Sequence, residues 1–305
     1  MNIVVCVKPV PDREKMYVDK EKGVLVRNGA DMVINELDYY ALELGLRCKD
    51  MQKDFNVLVL SMANHNCINL IRSLYGYGVD DAVLLSDKAF QGSDTLATSY
   101  VLSCGIRKIG ECKIILCGCE SSDGCTAQVG PNLAQRLGMK LLANVLSIQY
   151  VDEKKIQVQQ IDYQGIKIVE ASLPVVITAV SSELKIRTKK IKFILEAQNK
   201  DVSVWNAQDI HADCAQCGLS GSATQVKSMH VKVGIQTGVM IDGDQEEKVE
   251  QFISYLKNGK GCNLYHQNFT DEGRTLYWVK VRLKKAEYGS FQNLLILISL
   301  MLYMN

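Results

Sequence analysis

Ser122 to Gly138 reads SDGCTAQVGPNLAQRLG, and it directly follows the apolar run Ile114-Ile115-Leu116-Cys117-Gly118. A buried strand breaking into a small-residue loop and then entering a helix is the simplest reading of that order. The first turn of a helix carries unpaired N–H groups at the partly positive end of its dipole, so such a junction suits an anion. Gly124, Thr126, Ala127 and Gly130 allow close approach of a phosphate or pyrophosphate, and Thr126 and Gln128 add side-chain hydrogen bonds. The same letters also fit an ordinary turn capped by Asp123 or Thr126, with Pro131 in the first helical turn.

The residues before this junction repeat its pattern. Apolar strands are expected at Asn2–Val7, Phe55–Met62, Ala82–Leu85 and Lys113–Gly118. Helices are expected at about Leu37–Lys49, with Asp38 as cap, at Ile68–Tyr77, closed by Gly78, and at Asp94–Ile109, capped by Ser93 or Asp94. Strands alternating with helices predict an α/β fold, a parallel sheet covered on both faces. Such sheets bind ligands beyond the carboxyl ends of their strands. Five loops lie there: Val7–Val10, Asn35–Asp38, Met62–His65, Ser86–Thr95 and Cys119–Gly130.

After Asn144 the period changes. Val145–Val151, Lys155–Gln160 and Ile166–Ser172 alternate as an antiparallel hairpin insertion, and Val175–Val180 returns to the sheet. The basic run KIRTKKIK at Lys185–Lys192 reads as a solvated surface or a docking loop. Gln208–Val226 is polar and small, the start of an extended C-terminal arm, and a helix is expected at Gln245–Lys257. Arg274–Leu283 reads as a strand. The run LLILISLMLY at Leu294–Tyr303 is short of the ~20 residues a membrane helix needs, so a partner-packed or core segment is expected.

Bulk composition excludes several classes. The chain has 305 residues and a formal net charge of +1, which gives no electrostatic case for nucleic acid or an anionic membrane. Eleven cysteines without an export signal fit a cytoplasmic protein rather than a disulfide framework. Cys214 and Cys217 form a lone CxxC near His211, too few ligands for a metal site, and no metal is expected. The remaining histidines show no triad pattern.

Taken together, these segments resemble the beta subunit of an electron transfer flavoprotein, over residues 1 to about 260. MNIVVCVKPVPD opens the chain as that family opens. VINELDYYALELGLR is similar to the family's helix start, with Glu36 where proline is usual. SDKAFQGSDTLATSYVLSCGI and SDGCTAQVGPNLAQRLG match two of its nucleotide loops, and GLSGSATQV at Gly218–Val226 resembles its GSPT segment, with Ala223 for proline. Within the family, the 90–99 and 124–131 stretches look like the electron-bifurcating, two-FAD type. An acidic residue is usual where Cys125 stands.

The resemblance implies a Rossmann-like domain over 1–200, a C-terminal arm and helix over 201–260 contacting an alpha subunit, and an atypical tail over 261–305. It implies FAD in the cleft, with structural AMP as the alternative. Asp123, Gly124, Thr126, Ala127, Gln128, Val129 and Gly130 would hold the diphosphate, and Cys6, Val7 and Lys8 the adenosine side. Asn35 and Asp38 would form the floor, with Met62, Gly92, Asp94, Thr95 and Thr98 as further cofactor contacts. Ile191, Ile194 and Leu195 would dock an acyl-CoA dehydrogenase or similar flavoenzyme. The implied activity moves electrons from NADH to that dehydrogenase and to a low-potential acceptor such as ferredoxin. In the AMP alternative, the subunit is a scaffold and docking surface.

Overall fold

The computed structural model describes residues 1–12, 17–19, 24–26, 32–225, 243–258, 262–271, 274–283 and 296–299. The chain divides into two compact units, Met1–Lys232 and Val233–Asn305.

The first unit is built on a nine-stranded sheet. Its strands are β1 (Asn2–Cys6), β6 (Asn56–Met62), β7 (Asp81–Leu85), β8 (Cys112–Gly118), β9 (Lys140–Val151), β10 (Lys155–Asp162), β11 (Gly165–Ser172), β12 (Val175–Ala179) and β13 (Ser203–Trp205). The remaining strands of this unit are short: β2 (Pro9–Pro11) pairs with β5 (Met32–Ile34), and β3 (Tyr17–Asp19) with β4 (Val24–Val26). Across the large sheet the order is β11-β10-β9-β12-β8-β1-β6-β7-β13. The run from β9 through β12, β8, β1, β6 and β7 to β13 is parallel, and only β10 and β11 run antiparallel to their neighbours.

Alternation within each strand sends side chains to two separate cores. Ile3, Val5, Ile114, Leu116, Val175 and Ile177 face one side, where they meet α1 (Glu36–Met51) and the buried Ile71 and Leu74. Val4, Cys6, Ile115, Cys117 and Val176 face the other, packing on Val101, Leu102 and Ile106 of α3 (Thr95–Ile109) and Leu133 and Ala134 of α4 (Val129–Leu137). Helices therefore cover both faces, as the alternating pattern predicts. The short α2 (Ile68–Arg72) passes into a 3-10 turn over Ser73–Tyr77 and stops at Gly78, whose φ of 101° only glycine adopts readily.

Three expectations are corrected. Asp38 does not cap α1: Asn35 holds the cap position, and Asp38 is buried one turn into the helix. Neither Asp123 nor Thr126 caps α4; the cap residue is Gln128, whose side chain makes no capping bond. The ninth strand begins at Lys140, well before Val145, because its first half pairs in parallel with β12 before its second half turns into the hairpin. A left-handed Asn144 marks the change of register, and a polar asparagine there reads in sequence as a strand start.

Between β12 and β13, α5 (Ile191–Ala197) carries the end of the basic run, and after β13 Cys214–Gln216 makes one 3-10 turn in the segment expected to be extended. The second unit contains α6 (Gln245–Asn258) and an antiparallel sheet of β14 (Cys262–Asp271), β15 (Arg274–Leu283) and β16 (Ile296–Ser299). The rest of the Leu294–Tyr303 run, and Val226 of the GSPT-like segment, lie outside the described residues. No helix among the described residues is long and apolar enough to cross a membrane.

Candidate functional site

Strand order reverses beside β1, which pairs with β6 on one side and β8 on the other. A carboxylate sits at this switch point. Asp38 Oδ2 accepts from the Lys8 N–H at 2.7 Å, just past the end of β1, and Oδ1 accepts from the Gly118 N–H at 3.0 Å, at the end of β8. Burial raises the Asp38 carboxyl, and the hydrogen bonds from Lys8, Asn35 and Gly118 only partly offset this, leaving its pKa at about 6.

The 119–128 loop leaves β8 here and is pinned at its start. Asn35 Nδ2 donates to the Glu120 carbonyl at 2.9 Å, and Asn35 Oδ1 accepts from the Ser122 N–H at 3.0 Å. Lys8 Nζ donates to Asp123 at 2.7 and 2.8 Å and to Ser121 Oγ at 3.2 Å. Partial burial raises the Asp123 carboxyl, but the bonds from Lys8 and Ser121 outweigh it and hold it below the usual carboxylate range. Asp123 is therefore spent on Lys8; its charge would repel a diphosphate, and its contribution is to fix that lysine at the loop.

Beyond Asp123 the loop opens to solvent. Gly124, Cys125, Thr126, Ala127 and Gln128 are all exposed. Cys125 and Ala127 have φ of 48° and 54°, and Gln128 returns to the right-handed region at φ −103°. Alternating handedness of this kind turns successive N–H groups into an anion-binding concavity. Among the described residues the Gly124 and Cys125 N–H groups bond back to Ser121, and those of Thr126, Ala127 and Gln128 have no protein acceptor. They lead into the open first turn of α4, so a phosphate fits this backbone. Val129 is half-buried at the first position of that helix. Gly130 has a different reason to be glycine: a Cβ there would lie 2.3 Å from Thr178 Cγ2 and 3.1 Å from Cys117 Sγ, so the missing side chain faces the sheet.

A cleft of about 510 Å³ opens beyond β6 and β7, lined by Met62, Ala63, Asn64, His65, Ser86, Lys88, Phe90, Gln91, Gly92 and Ser93 among others. Its volume is that of a small-molecule site. Thr95 Oγ1, hydrogen-bonded to Gln128 Oε1 at 2.6 Å, ties the start of α3 to the anion loop. Asp94 is fully occupied: its carboxylate accepts from Leu96 and Ala97 as the α3 cap and from Thr224 N and Oγ1. Those bonds hold its carboxyl below the usual range although burial opposes them. Thr98 is half-buried in the helix, its N–H bonded to the Asp94 carbonyl. Cys6 and Val7 have buried side chains, which leaves only their backbone to face a ligand.

The loops therefore converge as the strand ends dictate, but individual roles differ. Asp94, Asp123 and Gly130 build the site rather than line it. Asn64, His65, Ser86, Lys88, Gln91 and Ser93 line the cleft; their loops were legible in sequence, and no residue type among them marks a ligand contact. The 218–224 segment is also part of the construction. Ser93 Oγ accepts from the Gly218 N–H at 3.1 Å, and Ser222 Oγ from the Asp94 N–H at 2.8 Å. Its glycines are forced: a Cβ on Gly218 would meet the Ala89 carbonyl at 2.4 Å.

On the opposite side of α1, Arg187 reaches back to Glu43 at 2.8 Å and Asp50 at 2.8 Å. Burial raises the Glu43 carboxyl, and the bonds from Arg187 and Arg47 outweigh it, so it stays ionised well into acid. That anchor leads into α5, where Ile191, Ile194 and Leu195 are 78%, 42% and 58% exposed while Ala197 is buried. Among the described residues no cluster of three or more His, Cys, Asp or Glu side chains is arranged to hold a metal.

Comparison with known proteins gives a consistent result. The electron transfer flavoprotein domain family matches residues 22–210. The electron transfer flavoprotein subunit beta of Clostridium acetobutylicum is 38% identical over 257 residues, covering 84% of this chain and 98% of the relative. That of Megasphaera elsdenii is 37% identical with the same coverage. The caffeyl-CoA reductase-Etf complex subunit CarD of Acetobacterium woodii is 35% identical, again over 84% of this chain and 98% of its own length.

Proposed function

The chain belongs to the electron transfer flavoprotein family, as a beta subunit, and from that premise we propose that it binds FAD in the cleft at the strand ends. With an alpha subunit it passes electrons from NADH to a flavoenzyme dehydrogenase and to a low-potential carrier of the ferredoxin kind. The carrying observation is the open backbone of Thr126–Gln128, tied by the Thr95–Gln128 bond to the start of α3, which directly follows the Ser86–Ser93 wall of the cleft of about 510 Å³. The loop suits a phosphate, and the cleft offers a second wall that a mononucleotide alone does not need.

A flavin, when bound, supplies both two-electron hydride acceptance and one-electron donation. The protein's own groups do the positioning. Lys8, neutralised by Asp123, closes the start of the loop without adding net charge. The N–H groups of Thr126, Ala127 and Gln128 and the α4 dipole receive the diphosphate. Met62 and Phe90 form an apolar wall for a flat ring, Gly92 beside them makes room for Leu219, and Thr95 ties the start of α3 to the loop. On the far side of α1, the exposed Ile191, Ile194 and Leu195 make the docking ridge for a dehydrogenase of the acyl-CoA type.

Purification with the alpha subunit and a count of bound nucleotides tests this. Two FAD per heterodimer is the expected result. One FAD and one AMP would replace the electron-bifurcating reading with that of a structural, AMP-holding scaffold.

A further inference from the structure

Asn35 is buried, and every arm of its amide is engaged. Nδ2 donates to Asp38 Oδ1 at 3.1 Å and to the Glu120 carbonyl at 2.9 Å, while Oδ1 accepts from the Ser122 N–H at 3.0 Å. The neighbours fix the orientation of the amide: two acceptors lie on one side and a donor on the other, so a flipped group would set oxygen against oxygen. Asp38 cannot turn away, because the Lys8 and Gly118 N–H groups hold its carboxylate. A continuous chain of bonds thus runs from the ends of β1 and β8 through Asp38 and Asn35 into the loop. Ser121, between the two pinned residues, then accepts from the Gly124 and Cys125 N–H groups and passes the orientation on.

We propose that Asn35, oriented by Asp38, is a positioning residue for the anion loop: it fixes Glu120 and Ser122, and through the Ser121 turn it aims the Thr126–Gln128 N–H groups at the nucleotide's phosphate without touching the ligand. This inference rests on the nucleotide-binding reading above. It requires both functions of the amide, donation to Glu120 and acceptance from Ser122, because either bond alone leaves the loop free to pivot.

The test uses the full chain in complex with its alpha subunit, stripped of nucleotide, with AMP and FAD as probes. Affinity, unfolding temperature and amide exchange at Ser122 and Val59 are measured for the native protein, Asn35→Ala and Asn35→Asp. Asn35→Asp keeps size and acceptor but turns both donations into oxygen–oxygen contacts, so it is expected to weaken binding by about tenfold or more, as Asn35→Ala does. Exchange at Ser122 should quicken in Asn35→Ala, which loses the acceptor for that N–H, and stay near native in Asn35→Asp, which keeps it, while Val59, in the strand core, stays slow in both. Native-like affinity in Asn35→Asp overturns the inference, as does loss of affinity in Asn35→Ala with unchanged exchange at Ser122. Should neither variant fold, slow Ser122 exchange in the stripped native complex supports the inference and fast exchange overturns it. A native complex that binds neither AMP nor FAD overturns the nucleotide reading instead.

Discussion

Gly130 shows how one letter serves two arguments. In sequence it sits in a glycine-containing loop and suggests close approach of a pyrophosphate. In the fold its absent side chain lets α4 lie against β8 and β12, within 2.3 Å of Thr178 for any added Cβ. Gly130→Ala is therefore expected to lower stability by about 1–3 kcal/mol through overpacking, read as a drop in unfolding temperature before any ligand is added. A variant with native stability and lost nucleotide would return the residue to the ligand. Asp38 gives a pH signature at the same scale. Its folded pKa of about 6 lies above the usual 3.8, so the folded state binds the extra proton. Stability from this group is complete below about pH 4 and is lost as pH rises through 6. The stability difference between the native chain and Asp38→Asn, followed from pH 4 to 7, should shift against the native chain by on the order of 1–3 kcal/mol. A flat difference would mean that Asp38 is ionised at its ordinary pKa. Neither burial nor partner was legible for Asp38, because a helix-start aspartate in sequence looks like a cap; only the β1–β8 adjacency makes it a bridge.

Whole elements were more legible than the residues that join them. The apolar strands and the helices between them follow from periodicity, with ends moved by one or two residues. What periodicity cannot carry is long-range pairing, and the docking segment depends on it. Arg187 ends 144 positions from Glu43 in sequence yet donates to it with both side chain and backbone. In sequence it is one cation of a basic run; in the fold it is the only residue of that run bonded to α1 among the described residues. Arg187→Ala is expected to cost about 3 kcal/mol, since it leaves a buried carboxylate with Arg47 alone, and to loosen α5. Ile191 belongs to the other class. At 78% exposure it supports no core, so Ile191→Ser should leave the unfolding temperature within about 1 °C and, if the proposed docking role holds, reduce electron transfer to a flavoenzyme dehydrogenase. Equal partner turnover in that variant would move the docking ridge elsewhere.

At the scale of the whole molecule, the first unit carries both of the described cores. Both cores consist entirely of residues between Ile3 and Cys217, and the loops around the cleft are closed by Gly218, Ser222 and Thr224. Among the described residues, the core and the bonds that close the cleft loops therefore lie within Met1–Lys232. The family match, residues 22–210, also lies inside that unit, although it begins after the central strand β1. A chain ending after Lys232 is expected to fold cooperatively on its own, with an unfolding temperature within a few degrees of the full protein, because none of the described core contacts is removed. It should still bind AMP. Association with the alpha subunit is the function expected to fail, since the part of the arm beyond Lys232 and α6 would be missing. The measurement is a pair: thermal unfolding of the fragment, and its co-elution with the alpha subunit on a sizing column. Cooperative unfolding without co-elution assigns the second unit to assembly. A fragment that both folds and co-elutes would place the alpha contact on the sheet domain itself, and one that does not fold would show that the second unit completes the core.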